Sequence, residues 1–210
     1  MISLSEILHT IAQALMIPCL IILIILMAGA VWQIGDIVVE YIAERRKHKC
    51  NVPQLLRDVH AAGADGLAEL IENSGLLRRQ KKALLELAGS RGLPKDTLTA
   101  LAERLLATEE ARNARTTSIT DMIAKLGPMF GLLGTLIPLG PGIVALGQGD
   151  TVTLSESMNV AFDTTIAGVI SAAVASVISH IRKRWYNDDM VSLETLMEAV
   201  LEEVTSDVEG

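Results

Sequence analysis

The stretch "TTIAGVISAAVASVIS", residues 164–179, carries five hydroxyls and no formal charge. A hydroxyl both donates and accepts a hydrogen bond, so a row of them can handle polar cargo without the cost of a buried ion. On a helix turning about 100° per residue, Thr164, Thr165, Gly168, Ser171, Ala172, Ala175, Ser176 and Ser179 gather on one side. Ile166, Val169, Ile170, Val174, Val177, Ile178 and Ile181 gather on the other. A lone helix in lipid has no reason to sort its residues this way. Two readings follow: tight packing through small residues, or a wall along a polar path. They are compatible if the path runs between packed helices.

A second stretch, "GPMFGLLGTLIPLGPG" at 127–142, is sorted in the same manner. Gly127, Gly131, Gly134, Thr135, Pro138, Gly142 and Ala145 project to one face, and Met129, Leu132, Leu136 and Ile143 to the opposite one. Thr135 is the one hydroxyl of this face. Pro138 and Pro141 have no N–H for the carbonyls of Gly134 and Ile137. Bare carbonyls at membrane depth require cover from protein or a polar cavity, so this face is expected to lie against a neighbour. Asp163 is the carboxylate nearest the core of the third apolar run. It falls on the bulky aliphatic side, about where that run begins. This position suits an interfacial or subunit-contact carboxylate rather than a proton carrier.

Nothing else in the chain has the form of a reactive site. There is no nucleophile–base constellation, phosphate-binding loop or metal-ligand spacing, so neither an enzyme nor a bound metal or cofactor is expected. A self-contained transporter would need a charged residue at a midplane substrate site, and none is well placed.

The elements that must position these faces are membrane spans. The chain is 50% hydrophobic but only 3% aromatic, and its mean hydropathy is +0.40. Residues 10–35, 126–149 and 164–181 are free of charge apart from His180. Each run is about long enough for a spanning helix of ~20 residues. The first has no basic segment before it and is too long for a signal-peptide core, so it reads as a retained helix. All 18 Lys and Arg fall between Arg45 and Lys125 or within Arg182–Arg184. The positive-inside rule then places the N-terminus outside and the C-terminus inside. Trp32, Tyr41, Trp185 and Tyr186 sit as anchors near the internal ends of their spans. Cys19 lies within the first span and Cys50 on the cytosolic side, which argues against a disulfide between them.

The expected organisation is an all-α, multi-pass protein of the cytoplasmic (inner) membrane. Its segments are an external N-terminus (1–9), a first span (10–36), a cytoplasmic helical region (37–121) and a second span (122–147). An external loop (148–155), a third span (156–181) and a cytoplasmic amphipathic helix and tail (182–210) complete it. In the cytoplasmic region Pro53 starts a helix that "AGADG" breaks, two short amphipathic helices follow, and one long helix runs from Pro94 into the second span. Its charge run reads as a solvated face. Thr153 is expected to cap the third span in a capping box with Glu156. Met190, Leu193, Met197, Val200 and Val204 form a 3-4-3-4 seam, which should pack on another subunit or on the cytoplasmic helices. The formal net charge of −7 gives no reason to invoke nucleic acid.

Topology and motifs together resemble the MotA/TolQ/ExbB proton channel family, and most closely its three-helix ExbB/TolQ branch. "GPMFGLLGT" is similar to the family's "AP-x-x-GLLGT", with Gly127 at the alanine position. "AFDTTIAGV" at 161–169 is similar to "AL-x-x-T-x-x-G", with Thr165 and Gly168 on its Thr and Gly. The resemblance implies a homopentamer in the bilayer whose second and third helices line a lumen. That lumen would hold single helices of an ExbD/TolR/MotB-type partner carrying the titrating membrane Asp. It also implies that Thr135 and Thr165 face the lumen or the ion path. From the sorted faces themselves, Thr164, Ser171 and Ser176 are expected along that path, and Gly127, Gly131, Gly134, Pro138 and Gly168 to serve packing or kinks. Two positions depart from the pattern: Pro138 stands where the family usually has glycine, and Val160 where ExbB-like members often carry glutamate. The implied function is the channel or stator subunit of a proton- or sodium-driven energy transducer; the alternative is a non-conducting scaffold.

Overall fold

The computed structural model describes residues 4–42 and 51–209. Cys50 lies outside this range, and Cys19 is a buried free thiol. Among the described residues every element is a helix: α1 (Leu4–Ala14), α2 (Met16–Glu40), α3 (Val52–Asn73), α4 (Arg78–Gly89), α5 (Lys95–Gly147) and α6 (Thr151–Glu209). Three helical stretches are long and apolar enough to cross a membrane, Glu6–Glu40, Lys95–Gly147 and Thr151–Ser206, with the first much the most apolar. The chain is an all-α membrane protein.

Helical structure begins at Leu4, before the apolar run itself, and breaks once at Leu15. The cause is Pro18, which has no N–H for the carbonyl of Ala14; the ladder resumes when the Cys19 N–H reaches the Leu15 carbonyl at 3.0 Å. The prolines of α5 (Pro128, Pro138 and Pro141) leave its 53 residues unbroken. α6 is likewise continuous over 59 residues, with no interruption at 181–182 where the span was expected to give way to a separate helix.

The start of α6 corrects one expectation. The cap is Asp150, not Thr153: the Asp150 Oδ1 accepts the Thr153 N–H at 3.0 Å, and the Thr153 hydroxyl donates to Oδ2 at 2.5 Å. An aspartate is as good an N-cap as threonine and adds a negative charge at the positive end of the helix. It wins because Gly149, at φ 78, turns the chain just before it. The bond from the Thr153 hydroxyl, followed by that from its N–H, holds the Asp150 carboxyl below the usual aspartate range.

The chain forms two compact units: Met1–Ile37 with Thr117–Ile181, and Val38–Thr116 with Arg182–Gly210. In the first, α2, α5 and α6 meet around Leu26, Ala30, Ile123 and Ala175. In the second, the tail seam packs on the helical region: Leu193, Met197, Val200 and Val204 join Leu55, Val59, Leu67, Ile71, Leu84, Leu87 and Leu98 in one core, and Met190 is half-buried. Leu196 belongs to that core too, outside the 3-4 seam. The break inside α3 falls at Gly63, where φ is 57 and ψ −178, a conformation that favours glycine. Gln80 ties α4 to α6: its Oε1 accepts the Leu77 N–H at 3.2 Å and its Nε2 donates to the Asp189 carbonyl at 3.0 Å.

Within the second unit Arg182, 3% exposed, pairs through Nε with Glu40 Oε2 at 3.1 Å, and the rings of Tyr41 and Trp185 stack with centroids 6.2 Å apart. Burial, reinforced by the negative charge of Glu40 and a hydrogen bond to it, pushes the Tyr186 phenol up to about 12, against its ordinary 10.0. Below pH 10 both folded and unfolded chains keep the phenol neutral. Between about pH 10 and 12 the unfolded phenol ionises first, so the contribution of Tyr186 to stability is lost as pH rises through that window. Thermal melts of wild type and Tyr186→Phe across pH 9–12 should therefore diverge, with the wild type losing stability faster.

Candidate functional site

The seam between α5 and α6 is made by glycines in close opposition. A Cβ at Gly168 would lie 2.5 Å from the Gly127 carbonyl oxygen and 2.9 Å from the Gly131 Cα; one at Gly127 would lie 2.6 Å from the Gly168 carbonyl oxygen. At Gly134 it would meet the Thr164 Cβ at 2.5 Å, and at Gly142 the Ser157 Cβ at 3.0 Å. Backbone thus touches backbone over this stretch, as small residues permit. Gly127, Gly131, Gly134, Pro138, Gly142 and Ala145 are all buried, while Met129, Leu132, Leu136 and Ile143 are exposed. The two faces expected of this helix are the two faces found.

α6 follows its expected division with two exceptions, of which the first, Val174, is half-buried against the cluster of Leu26, Ala30, Ile123 and Ala175. Thr164, Gly168, Ser171, Ala172, Ala175 and Ser179 are buried, and Ile166, Val169, Ile170 and Val177 exposed. Ile178, assigned to the outer side, is only 5% exposed. It lies at the border of the two faces; at Val174 the presence of α2 widens the buried sector beyond what packing on α5 alone would cover.

The hydroxyls divide into two groups by accessibility. Thr164 and Ser171 are enclosed in the seam, at 5% and 1% exposure. Thr135, Thr165 and Ser176 are half-buried at its edge. Thr164 packs on Gly134, the neighbour of Thr135, and Thr165 on Gly131, which brings these three threonines to one level of the bundle. Ser171 and Ser176 lie further along the helix, about two and three turns away. Each threonine hydroxyl donates to its own helix: Thr135 to the Leu132 carbonyl at 2.6 Å, Thr165 to Ala161 at 3.0 Å, and Thr164 to Val160 at 2.9 Å. Ser171 donates to Ala167 at 2.7 Å. With the hydrogen so engaged, each oxygen presents lone pairs, so the edge of the seam is an acceptor surface suited to water, hydronium or a cation. Asp163 is exposed on the outer side and takes no part in this level.

One of the freed carbonyls, that of Ile137, finds cover from an unexpected residue. The Gln13 side-chain amide reaches the carbonyl of Ile137, which Pro141 leaves without a helix donor, at 3.5 Å, the outer limit of a hydrogen bond. The Cys19 thiol donates to the Phe130 carbonyl at 3.4 Å. Sequence reasoning also passed over Asp121, which it placed in the charged helix face. Asp121 is half-buried, and the Ser179 hydroxyl donates to its Oδ1 at 2.5 Å. The available signal was the antiparallel register of the glycines, which carries Ser179 opposite Asp121.

The family model described as the MotA/TolQ/ExbB proton channel family matches residues 69–195, from the end of α3 through the whole of α4 and α5 and most of α6. Among curated proteins none matches the chain.

Proposed function

Because the chain belongs to the MotA/TolQ/ExbB proton channel family, and so has a membrane function of proton-channel or stator type, we propose that it is the channel subunit of an energy transducer in the cytoplasmic membrane. The N-terminus lies outside and the C-terminus inside, the orientation that the placement of Lys and Arg supports. Five copies surround a lumen, and a single-span ExbD/TolR/MotB-type partner contributes the carboxylate that the ion protonates. The ion, H⁺ or Na⁺, passes Thr135 and Thr165 at the open edge of the α5–α6 seam. Thr164 and Ser171 hold that seam closed from within. The long α5 and α6 carry the resulting movement to the cytosolic part.

One observation carries this reading: at the matched motifs, two half-buried threonines sit at one level with their lone pairs uncommitted to a donor of their own helix. The test is flux in proteoliposomes containing the chain and a genetically neighbouring single-span protein with a membrane Asp. Thr135→Val and Thr165→Val keep the shape and remove the acceptor. Each should lower flux about tenfold, the equivalent of one lost hydrogen bond of roughly 1.4 kcal/mol, with complex assembly unchanged. Full flux in both variants would put the path elsewhere, and no flux in the wild type would favour the non-conducting scaffold.

A further inference from the structure

The start of α4 holds a concentration of charge that helix stability does not explain. It opens "RRQKK", so Arg78, Arg79, Lys81 and Lys82 surround Gln80, and its first turn has no acid. A helix N-terminus carries partial positive charge and favours carboxylates, so these cations cost the helix stability. Nor do they serve orientation. They lie more than about 30 residues along the chain from Glu40 and from Thr117, beyond the reach of the positive-inside rule. Arg78, Arg79 and Lys82 are exposed. Lys81 is half-buried, and its Nζ donates to the Glu72 carbonyl at 2.7 Å, which draws the end of α3 alongside. Glu72 and Glu86 are the carboxylates of the same corner, so the four cations leave it two charges positive. An open groove of about 460 Å³ lies here, lined by Arg78, Lys81 and Lys82, with Leu85 as its apolar wall.

Within the second unit, the end nearest the bilayer is marked by the Tyr41–Trp185 stack beside Arg182–Arg184, an aromatic belt with its cations. α4 is held to α6 at that end. Gln80 donates to the Asp189 carbonyl, which lies four residues past Trp185. That is about 6 Å along the axis, roughly the thickness of a headgroup layer. Arg79 comes nearer still: burial dominates the upward push on the Tyr186 phenol, and the Arg79 charge is close enough to pull it back. Long basic side chains reach from such a place to the lipid surface. We propose that the corner formed by the end of α3 and the start of α4 is a docking surface for anionic phospholipid headgroups. Arg78 and Lys82 meet the phosphates at the groove, with Arg79 at its bilayer edge. The bilayer is the fitting occupant because a chain with three spans lies beside one throughout its life, and an anionic leaflet attracts basic clusters of this kind. A headgroup held there ties the α3–α4 hairpin to the membrane, although long stretches of chain separate it from either span. The proposal depends on the chain lying in a bilayer and not on its conducting ions.

The test is hydrogen exchange on the full-length chain in nanodiscs, with phosphatidylglycerol titrated into phosphatidylcholine. No flux is measured, so its outcome is separate from that of the channel reading. Phosphatidylglycerol should slow exchange saturably in peptides covering residues 74–86, and added salt should weaken the effect. Each basic residue at an anionic surface is worth about fivefold in binding, so Arg78→Gln with Lys82→Gln should weaken the response about 25-fold and remove the protection. Both residues are exposed and sit where the helix dipole disfavours them, so this double variant should melt at least as high as wild type in phosphatidylcholine alone. Arg78→Lys keeps the charge and should keep the protection. Lys95→Gln with Arg104→Gln is the control: it removes the same charge from exposed positions of α5, Arg104 lying about 20 Å along the helix from Thr117. Its response should match wild type. Protection that survives in Arg78→Gln with Lys82→Gln overturns the proposal, as does an equal loss in the control. Exchange already as slow in phosphatidylcholine alone would mean that another surface, such as a neighbouring subunit, covers α4, and this too overturns it. So does equal protection by inorganic phosphate in phosphatidylcholine discs, which would make the ligand a soluble anion.

Discussion

Gly168→Val should drive α5 and α6 apart and cost the folded state roughly 3 kcal/mol, the upper range for overpacking a tight contact. The first added atom alone would stand 2.5 Å from the Gly127 carbonyl oxygen, and that neighbour is backbone, which cannot rotate away. The measurement is thermal unfolding of the full chain in detergent, together with the oligomer profile in size-exclusion chromatography. Gly131→Ala is the control. Its Cβ would meet nothing nearer than 3.4 Å, ordinary van der Waals contact, so it should melt within a few degrees of wild type. If Gly168→Val melts like Gly131→Ala, the helices are not held at the separation described here.

Glu40→Leu should destabilise the second unit by about 3 kcal/mol, because it takes the carboxylate from a guanidinium that is 3% exposed. It also removes the partner that Tyr186 hydrogen-bonds. Adding Arg182→Met to Glu40→Leu should recover most of the loss, since replacing both members of a buried pair by apolar groups is often neutral. A double variant no more stable than Glu40→Leu alone would mean that the damage lies outside the pair. Chemical denaturation followed by the fluorescence of Trp185, which stacks on Tyr41 in the same unit, reads both.

The faces of α5 and α6 were legible because glycine, serine and threonine sort from leucine and isoleucine at helical period, and that period survives three prolines. The tail seam was legible for the same reason, and here its partner proved to be the chain's own α3, α4 and α5. Val174 and Ile178 were misplaced because a helical wheel knows one neighbour at a time; α2 adds a second, and Val174 packs in the cluster it forms with α5 and α6. The cap of α6 was missed because Asp150 and Thr153 both fit an N-cap, and only the turn at Gly149 decides between them. The Asp121–Ser179 bond and the Gln13–Ile137 contact join residues 58 and 124 positions apart, and composition carries no trace of either until the register is known.

The contrast in apolar character among the three spans bears on how the chain is made. On an insertion scale where leucine and isoleucine are favourable and glycine and proline are not, α2 enters a bilayer readily as it leaves the ribosome. α5 and α6 have given up those side chains on one face to let backbone touch backbone, and each alone is a poorer candidate for lipid. Their entry is helped by a helix already in place: α2 can shield the carbonyl side of α5, and α5 the hydroxyl side of α6. Synthesis order and packing order then coincide, and the residues that make the seam tight also make the nascent chain depend on its own first helix.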